Sequence, residues 1–287
     1  MINPMHAAAL FLLVGKLRPS ATWVLVGWSF AWYLVIGLVQ LVFQPVPDLT
    51  NPDASSILGG FLSSLAITLP LALLGWALPF AAWMRLLTTG RGSGLVPFRL
   101  GGEEMWAVFV LLALVFGMSV VMGLVFFVLA ILTALAPPLA ALGFIVAPAV
   151  GVAGIYVSIR LTPAAALSSM THKFAVLETW HEMDGKTGSA FLAWLVVVVA
   201  SIVLGLAVMV IGMLVPDLSL QQEMSEMMLG GDRPSLVALV PGLIFSLAAQ
   251  LPVTLMSYSV AAYFALAISG RDDDWTREIQ QAEAEAE

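Results

Sequence analysis

Cysteine is absent from the sequence, and charged residues make up only 10% of its 287 positions. The lack of cysteine excludes disulfides, thiolate metal sites and cysteine nucleophiles. The chain has three histidines, and His172 and His181 are nine residues apart, which is not a close metal-ligand spacing. Paired carboxylates or a nucleophile in a catalytic context are also lacking. We therefore expect no enzymatic activity, no metal and no cofactor.

The few charged residues are distributed unevenly along the chain. Lys, Arg, Asp and Glu are missing from three long runs, Met105–Ile159, Thr187–Pro216 and Pro234–Gly270. A charge at the middle of a membrane costs roughly 2.5–3.5 kcal/mol on insertion scales, so such runs are suited to crossing a bilayer. With 61% hydrophobic residues, the composition excludes an ordinary soluble domain and predicts an all-α integral membrane protein.

Six apolar segments reach the length of about 20 residues that a membrane-spanning helix requires. The second and sixth contain prolines that can kink a helix, and the short link Pro137–Pro138 predicts that the third and fourth form a hairpin. The predicted spans are Ala21–Phe43, Ile57–Leu87, Met105–Ala134, Leu139–Ile159, Ala190–Val215 and Leu236–Ile268.

The basic residues predict the orientation of these spans. Ten of the eleven Lys and Arg residues lie in four short segments, Lys16–Arg18, Arg85–Arg99, Arg160–Lys186 and Arg271–Arg277. The positive-inside rule places all four segments in the cytoplasm, which requires an even number of spans. We therefore expect a multi-pass protein of a bacterial inner membrane with both termini cytoplasmic.

The remaining segments divide the chain into three parts. Residues 1–20 are predicted to form a cytoplasmic interfacial segment, residues 21–269 the six-helix domain and residues 270–287 an acidic cytoplasmic tail. Within the domain, apolar residues recur at helical spacing over Ala164–Met183, which predicts one amphipathic helix lying on the membrane. Glu103 and Glu104 precede the third span, where they favour the positive end of its helix dipole.

A faint internal repeat connects two of the predicted spans. Ser64–Leu73 and Ser246–Leu255 are identical at six of ten positions. Three repeated helical hairpins explain this similarity, and so does coincidence among spans rich in leucine and alanine. Both explanations stay open.

Cytoplasmic arginines and one lysine are the first candidate site. The loop after the second span is rich in glycine and arginine, and guanidinium groups near an anionic surface favour lipid phosphate by roughly 1 kcal/mol each. Ordinary positive-inside charge is the alternative explanation. The predicted lipid-headgroup residues are Arg85, Arg91, Arg99, Arg160 and Lys173.

The second candidate site is a polar cluster on the sixth span. Gln250, Thr254 and Ser257 share one helix face beside Pro252, since offsets of four and three residues stay together. Such groups line the pathway of a permease or lipid translocator, or they bond between packed helices as structural residues. No charged residue stands in the middle of any predicted span, which argues against ion coupling.

Two parts of the sequence resemble segments of known membrane-protein families. The first part consists of Ile159–Ala164 and the segments Ala175–Trp180 and Gly185–Gly188 that follow it. The second part is Trp83–Leu100. Their layout is similar to uncharacterised six-helix bacterial membrane-protein families, including the membrane domain attached to some glycerophosphodiester phosphodiesterases. The phosphodiesterase domain has no counterpart here, so its catalysis and metal site do not carry over. The resemblance implies an association with envelope lipid or a partner protein.

Together these observations predict a non-enzymatic scaffold that binds anionic lipid or a protein partner through its cytoplasmic basic loops. A permease or translocator, and an accessory subunit of a larger membrane complex, are the alternatives. Membrane lipids are the expected partners, with a membrane protein or a second copy as further candidates and no nucleic acid.

Overall fold

The computed structural model describes residues 3–43, 75–91, 94, 96–98, 101–135, 140–215, 236–271, 274–275 and 277–278. These residues are helical with short connections, and the described part contains no strand. In chain order the helices are α1 (Pro4–Leu17), α2 (Pro19–Phe43), α3 (75–89), α4 (Gly102–Leu135), α5 (Ala140–Leu161), α6 (Ala164–Thr171), α7 (Val176–Glu182), α8 (Thr187–Leu214) and α9 (Leu236–Ile268).

Five segments of the described residues are long and apolar enough to cross a membrane. They are Pro19–Gln40, Glu104–Thr133, Ile145–Thr171, Thr187–Leu214 and Leu239–Ile268. They correspond to the first, third, fourth, fifth and sixth predicted spans. Residues 57–74 of the second predicted span lie outside the described residues. The rest of that span, residues 75–87, belongs to α3. The described residues therefore indicate a multi-pass helical membrane protein, with five helical segments that are suited to spanning a bilayer.

The helix α1 is too short to be a further span. Its 14 residues measure about 21 Å at 1.5 Å per residue, whereas the hydrocarbon core is about 30 Å thick. The side chain of Asn3 accepts the N–H of Met5, and Pro4 occupies the first turn, where its missing N–H costs nothing. α1 packs against α8, α9 and α2, and the N–H of Phe11 donates to Ser259 Oγ at 3.0 Å.

One end of the helix bundle contains the hydrophobic core. The buried cluster joins residues from the beginnings of α2, α4 and α8 to residues from the ends of α3, α5 and α9. α6 is enclosed by it, because Ala164, Ala165 and Ala166 are at most 2% exposed and their small side chains allow close packing on α4 and α9. The described basic residues follow or precede these same helix ends, so charge and core share one end of the molecule.

At the other end of the bundle, the spanning helices expose their apolar side chains. Most large apolar side chains from Phe116 to Leu132 of α4 and from Leu195 to Leu214 of α8 are exposed. Helices that are apolar on all sides are suited to a membrane, where their exposed side chains contact lipid tails and their backbone groups are hydrogen-bonded within the helix.

The prediction of one continuous helix over Ala164–Met183 was wrong. The structure has two short helices, α6 and α7, because His172 adopts a left-handed backbone conformation with φ of 54°. The residues Ala164–Ser169 are buried in the protein, and exposed apolar side chains occur only later, at Phe174 and Leu177. The position of α7 on a membrane surface stays a prediction.

Candidate functional site

A cavity of about 420 Å³ lies between the spanning helices near the core. Aromatic side chains from three helices form much of its wall, with Trp76 and Phe80 on α3, Trp194 on α8 and Tyr258 on α9. The Phe80 and Tyr258 rings pack edge to face at 5.2 Å, and the Tyr258 hydroxyl lies 2.8 Å from that of Tyr33. These contacts fix the wall in one arrangement.

A second cavity of about 610 Å³ adjoins the first between α4, α5 and α8. The two cavities share four lining residues, so they are direct neighbours along these helices. The shared residues are Met118, Ser158, Thr162 and Trp194.

Two glycines of α5 give the second cavity its width. A Cβ added at Gly154 would meet only Met118 Cε, at 3.6 Å, and one added at Gly151 would have no neighbour within 4 Å. Both glycines line the cavity. A larger side chain at either position would therefore project into the space without moving the backbone.

Three polar side chains along the two cavities already have hydrogen-bond partners within the protein. Ser119 Oγ donates to the Val115 carbonyl at 2.8 Å, and Thr162 Oγ1 donates to the Ser158 carbonyl at 2.9 Å. The Trp194 Nε1–H donates to Thr162 Oγ1 at 2.9 Å. Because their donors are used within the protein, the combined space favours an apolar occupant.

Arg85, a predicted lipid-headgroup residue, is enclosed by protein. Its side chain is 1% exposed and forms an ion pair with Glu104, which is 3% exposed. Its Nη2 also donates to the Pro97 carbonyl at 2.9 Å. A direct contact between Arg85 and a lipid headgroup is incompatible with this burial. Glu104 was not predicted as the partner of Arg85, because its place before the third span suggested only an interaction with the helix dipole.

Arg160 also has extensive contacts inside the protein. Its Nε and Nη2 donate to the Trp180 carbonyl at 3.0 and 2.7 Å, and its Nη1 donates to the Tyr156 hydroxyl at 2.8 Å. The guanidinium carbon lies 4.3 Å from the centre of the Trp180 ring, and Asp184 completes an ion pair. These contacts join the end of α5 to α7 and to the turn before α8.

The other predicted headgroup residues differ in accessibility. Lys173 is 56% exposed and pairs with Glu178 at 2.7 Å, an arrangement that a phosphate can replace at little cost. Arg91 is exposed, and Arg99 lies outside the described residues. The structure therefore brings no two of the five predicted side chains together in a contact that it describes.

The predicted polar cluster on α9 is divided between two spaces. Gln250 and Thr254 line a groove between α8 and α9, whereas Ser257 lines the first cavity. Thr254 Oγ1 donates to the Gln250 carbonyl at 3.1 Å, and Ser257 Oγ donates to the Val253 carbonyl at 2.9 Å. These hydroxyls thus bond to the backbone of their own helix, which is a structural role.

Within the described ranges, no three His, Asp or Glu side chains come close enough to hold a metal ion. Comparison with protein-family models, with curated proteins and with solved structures finds no match to this chain.

Proposed function

We propose that this protein is a non-enzymatic membrane protein that binds a membrane lipid, with an acyl chain in the two adjoining cavities, which we call the joined cavities. The observation that carries this proposal is the pair of adjoining spaces of about 420 and 610 Å³ that share Met118 and Trp194. Each volume lies in the range of about 300–1,000 Å³ typical of ligand pockets.

The lining of the two cavities favours an apolar ligand. Water needs two to four polar partners, and the hydroxyl donors of Ser119 and Thr162 are already bonded within the protein. Lipid tails are the apolar material that surrounds a spanning helix, and a gap between helices is filled by them without loss of hydrogen bonds. An acyl chain therefore fits these spaces better than water or a polar solute.

The headgroup of this lipid would lie at the end of the bundle that contains the core. Phe174 packs on Phe109 of α4 at 5.9 Å between ring centres, in the part of α4 that precedes its cavity-lining residues. Lys173 directly precedes Phe174 and is exposed. We assign Lys173 to the lipid phosphate, and the buried Arg85 is not part of this site.

Filling the cavity tests the proposal. We expect native mass spectrometry of the gently released protein to detect a lipid adduct. We expect Gly154→Leu, whose side chain enters the larger space, to remove that adduct. Gly117→Leu is the matched control, since Gly117 lies on α4 outside the lining of both cavities and has no atom near its Cβ position. Equal lipid occupancy in both variants would contradict the proposal.

Lys173→Gln tests the headgroup assignment separately. The acyl chain site is unchanged in this variant, so lipid still binds, but the preference for anionic over zwitterionic phospholipid falls. Each basic group near an anionic surface contributes roughly 1 kcal/mol, which corresponds to about a fivefold change in that preference. An unchanged preference would remove Lys173 from the site and leave the acyl chain proposal standing.

A further inference from the structure

A groove of about 410 Å³ runs between α8 and α9 and shares no lining residue with the two cavities of the proposed lipid site. Its wall differs from theirs because it combines an amide, hydroxyls and a glycine. The residues concerned are Ser201, Gly205, Ser246, Gln250 and Thr254.

The groove lies at the middle of two spanning helices. Ser201 is 14 residues after the first residue of α8, which has 28, and Gln250 is 14 residues after the first residue of α9, which has 33. Both positions are therefore about 21 Å from a helix end, near the centre of a bilayer in which these helices stand. Water is not available at that depth to satisfy polar side chains.

The Gln250 amide is exposed at this position. Its Nε2 donates to Ser246 Oγ at 3.0 Å. A side-chain amide has a second N–H and a carbonyl oxygen, and leaving such groups in hydrocarbon is unfavourable. A surface of this kind favours a partner that supplies hydrogen bonds over a lipid tail.

We propose that a second copy of this chain covers the groove in a two-fold symmetric dimer, with the Gln250 amides of the two copies bonded to each other. An amide is both donor and acceptor, so it is complementary to itself across a two-fold axis. Ser201 and Gly205 are four residues apart on α8, and this pair of small residues allows the backbones to approach closely. The flanking Ile202 and Leu206 are exposed and add apolar contact.

The natural absence of cysteine makes this contact directly testable. Single substitutions Ser201→Cys, Ser246→Cys and Thr254→Cys are made one at a time, and the protein is oxidised in its native membrane. We expect covalent dimers from at least one of these positions and none from Phe116→Cys, which is 73% exposed on α4 and serves as a control for random collision. The absence of dimers from all three positions, or equal dimer formation at Phe116, would overturn the proposal.

Association in a bilayer gives a second measurement, by energy transfer between labelled copies. Gln250→Leu removes the amide and is expected to weaken dimerisation by about three- to tenfold, in line with interhelical hydrogen bonds in membranes. Gly205→Leu fills the groove and is expected to weaken it more, whereas Gly117→Leu leaves it unchanged. If Gly205→Leu and Gln250→Leu associate like the unmodified protein, the groove has a different occupant and the proposal fails.

Discussion

Arg85 and Glu104 form an ion pair in which the two side chains are only 1% and 3% exposed. Glu104 Oε2 also accepts the Gly101 N–H at 3.0 Å, and Arg85 Nη2 donates to the Pro97 carbonyl at 2.9 Å. These bonds join the end of α3, the connection that follows it and the first turn of α4. The charges that the sequence suggests for lipid thus hold the helix ends together.

Glu104→Gln is expected to destabilise the protein strongly. The variant leaves the Arg85 guanidinium buried beside a neutral amide, and removal of one partner of a buried ion pair typically costs about 3–5 kcal/mol. The free energy of unfolding in mixed detergent micelles measures this loss. Glu178→Gln, which breaks the exposed pair with Lys173, serves as the control and costs at most about 1 kcal/mol.

The double variant Arg85→Met with Glu104→Leu tests whether the instability of Glu104→Gln comes from an unpaired buried charge. Both charges are removed together, so no uncompensated charge remains, and we expect most of the lost stability to return. If the double variant is as unstable as Glu104→Gln, the ion pair is not the source of the effect.

Arg160→Lys separates a structural role from a lipid-binding role. Lysine keeps the charge but cannot reproduce the planar hydrogen bonds to Trp180 and Tyr156 or the stacking on the Trp180 ring. We expect a lower melting temperature with unchanged lipid adducts. An unchanged melting temperature with lost adducts would indicate that Arg160 contacts lipid instead.

Trp275 fastens the C-terminal segment to the end of α3. Its indole N–H donates to the Leu87 carbonyl at 2.9 Å, and its ring lies so close to Gly90 that a Cβ there would be 2.9 Å from Trp275 Cη2. Gly90→Ala is unfavourable for two reasons. Its Cβ would clash with the Trp275 ring, and φ at this position is +67°, in the left-handed region that costs about 1–2 kcal/mol for residues other than glycine. We expect faster trypsin cleavage at Arg271 and Arg277 in this variant.

Gly94→Ala provides the comparison for that experiment. Its φ is also positive, at +36°, but a Cβ there would have no neighbour within 4 Å. If both variants accelerate cleavage equally, backbone strain alone explains the result and the Trp275 contact does not hold the tail.

Gly75 sets the distance between α2 and α3. A Cβ at this position would be 2.9 Å from Ile36 Cγ2, so Gly75→Ala is expected to cost about 1–3 kcal/mol through overpacking. Ile36→Ala introduced into the same chain removes the clashing atom and should recover part of that loss. Gly27→Ala, where a Cβ has no neighbour within 4 Å, is the control, and it should be neutral or slightly stabilising.

The positions of five predicted spans agree with apolar helices among the described residues, because uncharged apolar length is the property that a membrane-crossing helix requires. The predicted span Leu236–Ile268 coincides with α9, and Met105–Ala134 differs from α4 only at its ends. The break at His172 was not predictable from the helical spacing of apolar residues over Ala164–Met183, because that spacing shows which side chains are apolar and not where the backbone changes direction.

The partners of the buried charges could not be predicted for a different reason. Glu104 is 19 residues from Arg85 and Asp184 is 24 residues from Arg160, so each pair depends on how the helices pack. The joined cavities likewise depend on how α3, α4, α5, α8 and α9 pack together. Gly151 and Gly154 were visible in the sequence, but a glycine in a span does not reveal whether it faces lipid or a cavity.

A photoreactive phospholipid tests the central proposal most directly. With a diazirine in its acyl chain, the lipid is activated in native membranes and the labelled residues are identified by peptide mass spectrometry. We expect labels to concentrate at cavity-lining residues such as Met118, Met122 and Leu195 and to disappear in Gly154→Leu. Labels spread evenly over exposed positions such as Phe116 and Phe127, unchanged in Gly154→Leu, would contradict the proposal.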